Sequence, residues 1–152
     1  MTLTPQRDAA TRKRDVLAQL AKQGHYWLAT ATVGGKSHVI AVSAWWNGDD
    51  EFVFATRGPT ITAKNLAMNP AATLVAGTPE DAIVIQGQVI ESRAAEDARD
   101  LCEGFKKACG WDPRAEGSDW IMYRLRPTGI KAFRGYEEVQ GRDVMIRSRW
   151  VV

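Results

Sequence analysis

The residues whose types and spacing could do chemistry gather in Phe52–Pro70, FVFATRGPTITAKNLAMNP. Phe52, Val53, Phe54 and Ala55 are strand-forming types, and Gly58-Pro59 breaks the run after them. Thr60 or Thr62 can then cap a short helix with apolar Ile61, Leu66 and Met68, closed by Asn69-Pro70. Thr56, Arg57, Thr60, Thr62, Lys64 and Asn65 therefore crowd the junction of a strand end and a helix N-terminus. Free backbone N–H groups, hydroxyls and a cation gathered there suit a phosphate. The same residues equally suit an ordinary capped helix with a solvated lysine, because capping needs no ligand.

Other chemical signals are sparse. There is no Gly-x-Gly-x-x-Gly after a strand, no phosphate-loop motif and no Gly-x-Ser-x-Gly elbow. Of the two histidines, His25 is expected as a helix-end cap or surface residue, and His38 is the candidate base, on a strand face that can open into a cleft. Asp49, Asp50 and Glu51 are expected to form and solvate a hairpin turn, and Glu137-Glu138 reads as loop charge. No nucleophile-plus-base constellation assembles from these groups. Cys102 and Cys109 share one helical stretch, about 10 Å apart along its axis, too far to bridge. With no Cys-x-x-Cys or Cys/His cluster, no metal site is expected, and both cysteines read as reduced packing residues. Six tryptophans are many for this size. Most belong in a core or subunit interface. Adjacent Trp45-Trp46 on a strand must point to opposite faces, so one is expected to leave the barrel's own core. An exposed indole on a sheet face marks a partner surface or a flat aromatic ligand, which points to a homodimer and a planar cofactor together.

The elements that must position these residues follow from the rest of the chain. Its 152 residues fit one domain, residues 1–152, with ordinary contents of 45% hydrophobic and 25% charged residues. A net charge of +2 with unclustered basic residues gives no case for nucleic acid, and Arg12-Lys13-Arg14 reads as a wet helix face. No apolar run approaches the roughly 20 residues a membrane span needs, and the N-terminus has no hydrophobic signal region, so a cytoplasmic protein is expected. A first helix is expected from Thr4-Pro5 to about Lys22, within residues 1–24. The barrel core, 25–91, holds strands at His25–Val33, Lys36–Trp46, Glu51–Thr56, Ala71–Ala76 and Ala82–Glu91, with the Thr60–Met68 helix after the third. Gly87 inside the last of these suggests a bulge or a tight corner. Ser92–Gly110 reads as a second long helix, residues 92–110, and Trp111–Ser118 as loop. The C-terminal strands, within 120–152, are expected at Trp120–Leu125 and Gly129–Phe133, split by Pro127, with a last strand over Val144–Val152. Short strands with regular turn signals predict a mainly β chain with flanking helices, a small antiparallel barrel rather than a doubly wound sheet.

The segments SHVIAVSAWW, FVFATRGPTITAKNLAMNPAATLVAG and DAIVIQGQVIES, with the closing Arg147-Ser148-Arg149-Trp150, resemble the pyridoxamine 5′-phosphate oxidase-like family of FMN-binding split barrels over nearly the whole chain. The resemblance implies a six- to seven-stranded antiparallel split β-barrel, a homodimer with cofactor sites at the subunit interface, and a small-molecule substrate. It implies that His38, Val39, Ile40, Ala41 and Val42 run along the isoalloxazine ring. Ala55, Thr56 and Arg57 would border the ribityl chain and phosphate. Thr60, Thr62, Lys64 and Asn65 would form the phosphate pocket with Lys64 its cation, and Trp150 would approach the ring from the C-terminal segment. The oxidases proper carry an Arg-Lys pair where this chain has Ile61-Thr62, which argues against oxidation of pyridoxamine phosphate itself. A sister branch of the family binds the deazaflavin coenzyme F-420, whose longer anionic tail would want further cations such as Arg57, Lys36 and the basic first helix. The reading is thus an oxidoreductase using FMN or F-420. Its alternatives are a non-catalytic barrel holding flavin or haem, and a barrel acting only through protein contacts.

Overall fold

The computed structural model describes residues 6–48 and 50–151. The expected helix start at Thr4-Pro5 and the turn residue Asp49 lie outside them. Helix α1 spans Ala9–Lys22, capped by Asp8, whose carboxylate accepts from the Thr11 N–H at 2.7 Å. Strands β1 (His25–Ala31), β2 (Ser37–Trp46) and β3 (Phe52–Arg57) follow as consecutive hairpins, then α2 (Ile61–Met68). Strands β4 (Ala71–Thr78) and β5 (Asp81–Ala94), helix α3 (Arg99–Cys109), strand β6 (Trp120–Arg134) and the short β7 (Asp143–Ile146) and β8 (Arg149–Trp150) complete the chain.

The strands lie in the order β3-β2-β1-β4-β5-β6, and β3 also pairs with β6. All these pairings are antiparallel, so six strands close into a barrel, with β7 and β8 added beyond β6. The expected split barrel is therefore present. Alternate residues of each strand fill it, with Leu28, Phe52, Phe54, Leu74, Ile85 and Leu125 fully buried. The unbroken apolar character of β3 has a separate cause. Phe52 and Phe54 point into the barrel, while Val53 and Ala55 pack under Leu101, Cys102 and Phe105 of α3. A strand covered on both faces needs no alternation. No helix among the described residues is long and apolar enough to cross a membrane.

Several expectations are corrected. Strand β5 does not end at Glu91 but runs to Ala94, pairing Ser92 with Tyr123 and Ala94 with Ile121. One 3-10 turn, Ala95–Asp97, then precedes α3. Pro127 does not split the late strands. It sits opposite Gly87, where the register shifts and Thr128 is an extra residue, so the N–H that proline lacks is not required by the ladder. At Gly87 a β-carbon would lie 2.7 Å from the Arg126 carbonyl oxygen, which explains the glycine at this corner. The tail is a hairpin rather than one strand, because Arg147 and Ser148 turn it with φ of 52° and 63°.

Three charged residues read as wet are buried. Arg12 reaches the carbonyls of Arg7 (3.2 Å) and Gly141. Glu51 is clamped by Arg124 (2.9 Å) and Arg126 (3.1 Å). Glu138 receives the Arg7 guanidinium at 2.6 Å. The contacts of Arg12 with Gly141, of Glu51 with Arg124 and Arg126, and of Glu138 with Arg7 join residues distant in sequence, so no local pattern announces the burial. Trp45 and Trp46 point to opposite faces as expected and both are half-buried: Trp45 leaves the barrel's own core for the cluster under α3, and Trp46 packs on Phe52 at a centroid distance of 4.9 Å. The exposed indole is instead Trp27, at 57%.

Candidate functional site

Strands β2 and β3 pair over only three positions, Ala44 with Phe54, Trp45 with Val53 and Trp46 with Phe52. Beyond Phe54, β3 leaves β2 and follows β6 as far as Arg57 opposite Trp120. Over Ser37–Ser43, β2 keeps β1 on one side, and among the described residues no strand pairs with its other edge. The Ala44 N–H donates toward β1, to the Gly24 carbonyl at 3.1 Å. Strand alternation then turns the peptide groups of Ser43, Ala41 and Val39 to the open side. An unpaired strand edge offers a row of donors and acceptors to whatever enters the gap.

That gap is a cleft of about 520 Å³. Ile40, Ala41, Val42 and Ser43 form one wall, and Ala55, Thr56, Arg57 and Thr60 the other. His25, Trp111 and Trp120 complete the lining. The indoles of Trp111 and Trp120 meet edge to face at 5.1 Å, and Trp111 meets Phe105 of α3 in the same way at 5.1 Å. Trp111 Nε1 also donates to Ser43 Oγ at 3.2 Å, tying the aromatic wall to the open strand. A flat apolar ring finds aromatic faces here, and the strand edge can read its heteroatoms.

At the other end lies the strand-to-helix junction. Thr60 caps α2, accepting from the Ala63 N–H at 3.2 Å while its hydroxyl donates to the Arg57 carbonyl at 2.8 Å. Thr56 Oγ1 donates to the buried Tyr123 hydroxyl at 3.2 Å. Arg57 binds Asp119 in a two-pronged pair, Nη2 to Oδ2 at 2.9 Å and Nε to both oxygens at 3.3 Å. The hydrogen bond from Arg57 is the main cause that holds the Asp119 carboxyl below its ordinary range. The lining contains one imidazole, His25, and no carboxylate, so it assembles no acid–base pair. Among the described residues no group of three metal-ligating side chains exists.

The structure brings together Ile40, Ala41, Val42, Ala55, Thr56, Arg57 and Thr60 of the expected site residues. The others lie elsewhere. His38 is half-buried and Val39 exposed, further along β2. Thr62 and Asn65 are on the buried face of α2, where Asn65 Nδ2 donates to Thr30 Oγ1 at 3.1 Å. The buried Thr62 hydroxyl has no hydrogen-bond partner among the described residues. Lys64 is exposed on the opposite face of that helix. Trp150 lies outside its own chain's cleft, its Nε1 donating to Asp50 at 3.1 Å and Lys13 sitting 5.3 Å above its ring. Sequence reasoning missed His25, Ser43, Trp111, Trp120 and Asp119 as parts of this region. The two tryptophans bracket a loop rich in Pro, Gly and charge, which was the available signal.

No family model matches the chain, and no curated protein matches it. Solved structures do. An F-420 reductase superimposes with a TM-score of 0.61 at 20% identity, over 74% of this chain and 93% of that one. The haem storage protein HutZ from Vibrio cholerae gives 0.65 at 14% identity, over 91% and 99%. A pyridoxamine 5′-phosphate oxidase-related, FMN-binding protein from Nostoc punctiforme gives 0.56 at 14% identity, over 83% and 80%. The chain has the split-barrel fold of the pyridoxamine 5′-phosphate oxidase-like proteins.

Proposed function

We propose that the cleft holds the ring of a flavin or deazaflavin, FMN or coenzyme F-420, and that the protein is an oxidoreductase moving a hydride to or from a small molecule. The observation that carries this reading is the open β2 edge at Ala41 and Ser43 facing the Trp111–Trp120 wall. Peptide groups on that edge would hold the polar rim of the ring. Trp111 and Trp120 would cover its apolar surface and exclude water. Thr56, Thr60 and Arg57 stand where a polyhydroxyl arm would run. Such a ring supplies the redox chemistry itself when bound, so the protein's part is to place and shield it. The missing acid–base pair is compatible with that division of labour.

The partner in this reading is a second copy. Trp27, Val39 and Ala41 share the outer face of β1 and β2, with Trp27 opposite Ala41 and Ala29 opposite Val39. Trp27 and Val39 are 57% and 56% exposed. This apolar face borders the open strand edge, so a homodimer seated there would close the cleft. Sedimentation showing a monomer at micromolar concentration would remove that part.

A non-catalytic barrel holding haem or flavin is the second reading. It is favoured by His25, the imidazole in a lining without acid–base partners, because imidazole is a haem-iron ligand. The test is titration of the purified protein with FMN, F-420 and haemin, followed by NADPH or reduced F-420 with trial acceptors. A bound ring that is reduced and reoxidised supports the oxidoreductase. Binding of haemin alone, with loss on His25→Ala, would replace it.

A further inference from the structure

Just outside the lining, at the polar end of the cleft, stands a carboxylate that a phosphate-binding pocket does not want: Asp119, the partner of the lining residue Arg57. Asp119 is fixed by the barrel ladder itself: Arg57 pairs with Trp120, and the Gly58 N–H donates to the Asp119 carbonyl at 2.7 Å. Its carboxylate meets Arg57 through three contacts of 2.9 to 3.3 Å. The cation that lines the cleft is thus already neutralised by a residue whose backbone holds it in place. Beside it, Ile61 puts an apolar side chain, 56% exposed, at the first position of α2. Lys64 is exposed and does not line the cleft. An anion arriving next to Thr60 would meet Asp119 as well as Arg57, and like charge at that distance offsets the attraction.

We propose that Asp119 sets the ligand specificity of this cleft, so that the site recognises a flat ring and is nearly indifferent to a phosphate on its arm. This rests on the ring-binding reading above and adds to it a class of ligand: a ring compound with an uncharged polyhydroxyl arm is accepted as well as its phosphorylated form. Removing the carboxylate would free Arg57 to bind phosphate and make the cleft phosphate-selective.

The experiment compares two pairs of compounds, riboflavin with FMN and the unphosphorylated ribityl deazaflavin with F-420, titrated by their fluorescence. The proteins are the wild type, Asp119→Asn, Asp119→Ser and the double variant Arg57→Gln/Asp119→Asn. The expected result is that phosphorylated and unphosphorylated members bind the wild type within about threefold. Each Asp119 variant then strengthens only the phosphorylated member, by about three- to tenfold, and the double variant loses the gain. A strong phosphate preference already present in the wild type and unmoved by either variant overturns the inference while leaving the ring site standing. So does an equal shift of both members. No binding of any of the four compounds to any protein overturns the ring-binding reading and this inference with it.

Discussion

The indole of Trp45 lies against Gly104, in the middle of α3, so closely that a β-carbon there would fall 2.8 Å from Cζ2 and nearer still to Cη2. Glycine inside a helix ordinarily costs about 1 kcal/mol relative to alanine, so Gly104→Ala should stabilise on propensity alone. Overpacking a rigid ring costs about 1–3 kcal/mol and wins. Gly104→Ala is expected to lower the urea midpoint, and Trp45→Leu in the same chain to restore part of it. Additive effects of the two substitutions would show that the contact is not the cause.

Glu138 should make the fold acid-sensitive. Burial alone would raise its carboxyl, but the Arg7 side chain at 2.6 Å and the N–H groups of Arg7 (2.7 Å) and Arg134 (3.0 Å) outweigh it. The carboxyl is held at about 2, against an ordinary 4.5. A depressed folded value means the stabilisation is complete above about 4.5 and is lost as pH falls toward 2, with about 3 kcal/mol at stake. Glu138→Gln is expected to remove a comparable amount at pH 7 and to flatten the stability profile between those limits, read by urea unfolding at each pH.

Binding of a phosphorylated ring should rank the cations differently from the family resemblance. That resemblance implies Lys64, whereas Arg57 lines the cleft and Lys64 is exposed and outside the lining. Arg57→Gln leaves Asp119 unopposed, so FMN affinity is expected to fall about tenfold with riboflavin unchanged. Lys64→Ala should change either by less than about twofold. Calorimetric titration that reverses this order would put the anionic arm on α2.

The aromatic wall predicts the complementary pattern. Trp120→Leu removes one edge-to-face partner of Trp111 and should weaken every flat ligand alike, phosphorylated or not, by about three- to tenfold. Trp111→Phe keeps an aromatic ring but loses the bond to Ser43, and a smaller loss is expected. Unchanged ring affinity in Trp120→Leu, by fluorescence titration, would show that the indoles only cover the core.

The barrel was legible where the signal is local. Alternation placed the first two strands, strand-forming residue types between turn signals placed the third, and Gly58-Pro59 followed by Thr60 or Thr62 placed α2, whose cap is Thr60. The misread elements depend on distant partners. Ser92 looks like a helix start, but Tyr123 keeps it in the ladder, and Pro127 looks like a strand break until the register shift at Gly87 absorbs it. Arg12, Glu51 and Glu138 look solvated because each also needs a partner far along the chain, Gly141, Arg124 and Arg7 respectively. The cleft divides in the same way. Ala55, Thr56, Arg57 and Thr60 were readable from one segment, whereas Asp119 and Trp120 reach it through the register of β3 on β6, and Trp111 through its contacts with Phe105 and Ser43.

The three-pair ladder between β2 and β3 separates two kinds of selection. Closure of the barrel depends on Phe52 to Arg57 along β6, so the β3 wall of the gap serves it too, while the β2 wall from Ser43 back is held by β1 alone. Substitutions on the open stretch of β2, such as at the exposed Ala41, can therefore reshape the cleft without touching the strand pairs that close the barrel, whereas changes at Ala55 or Thr56 would be felt by both.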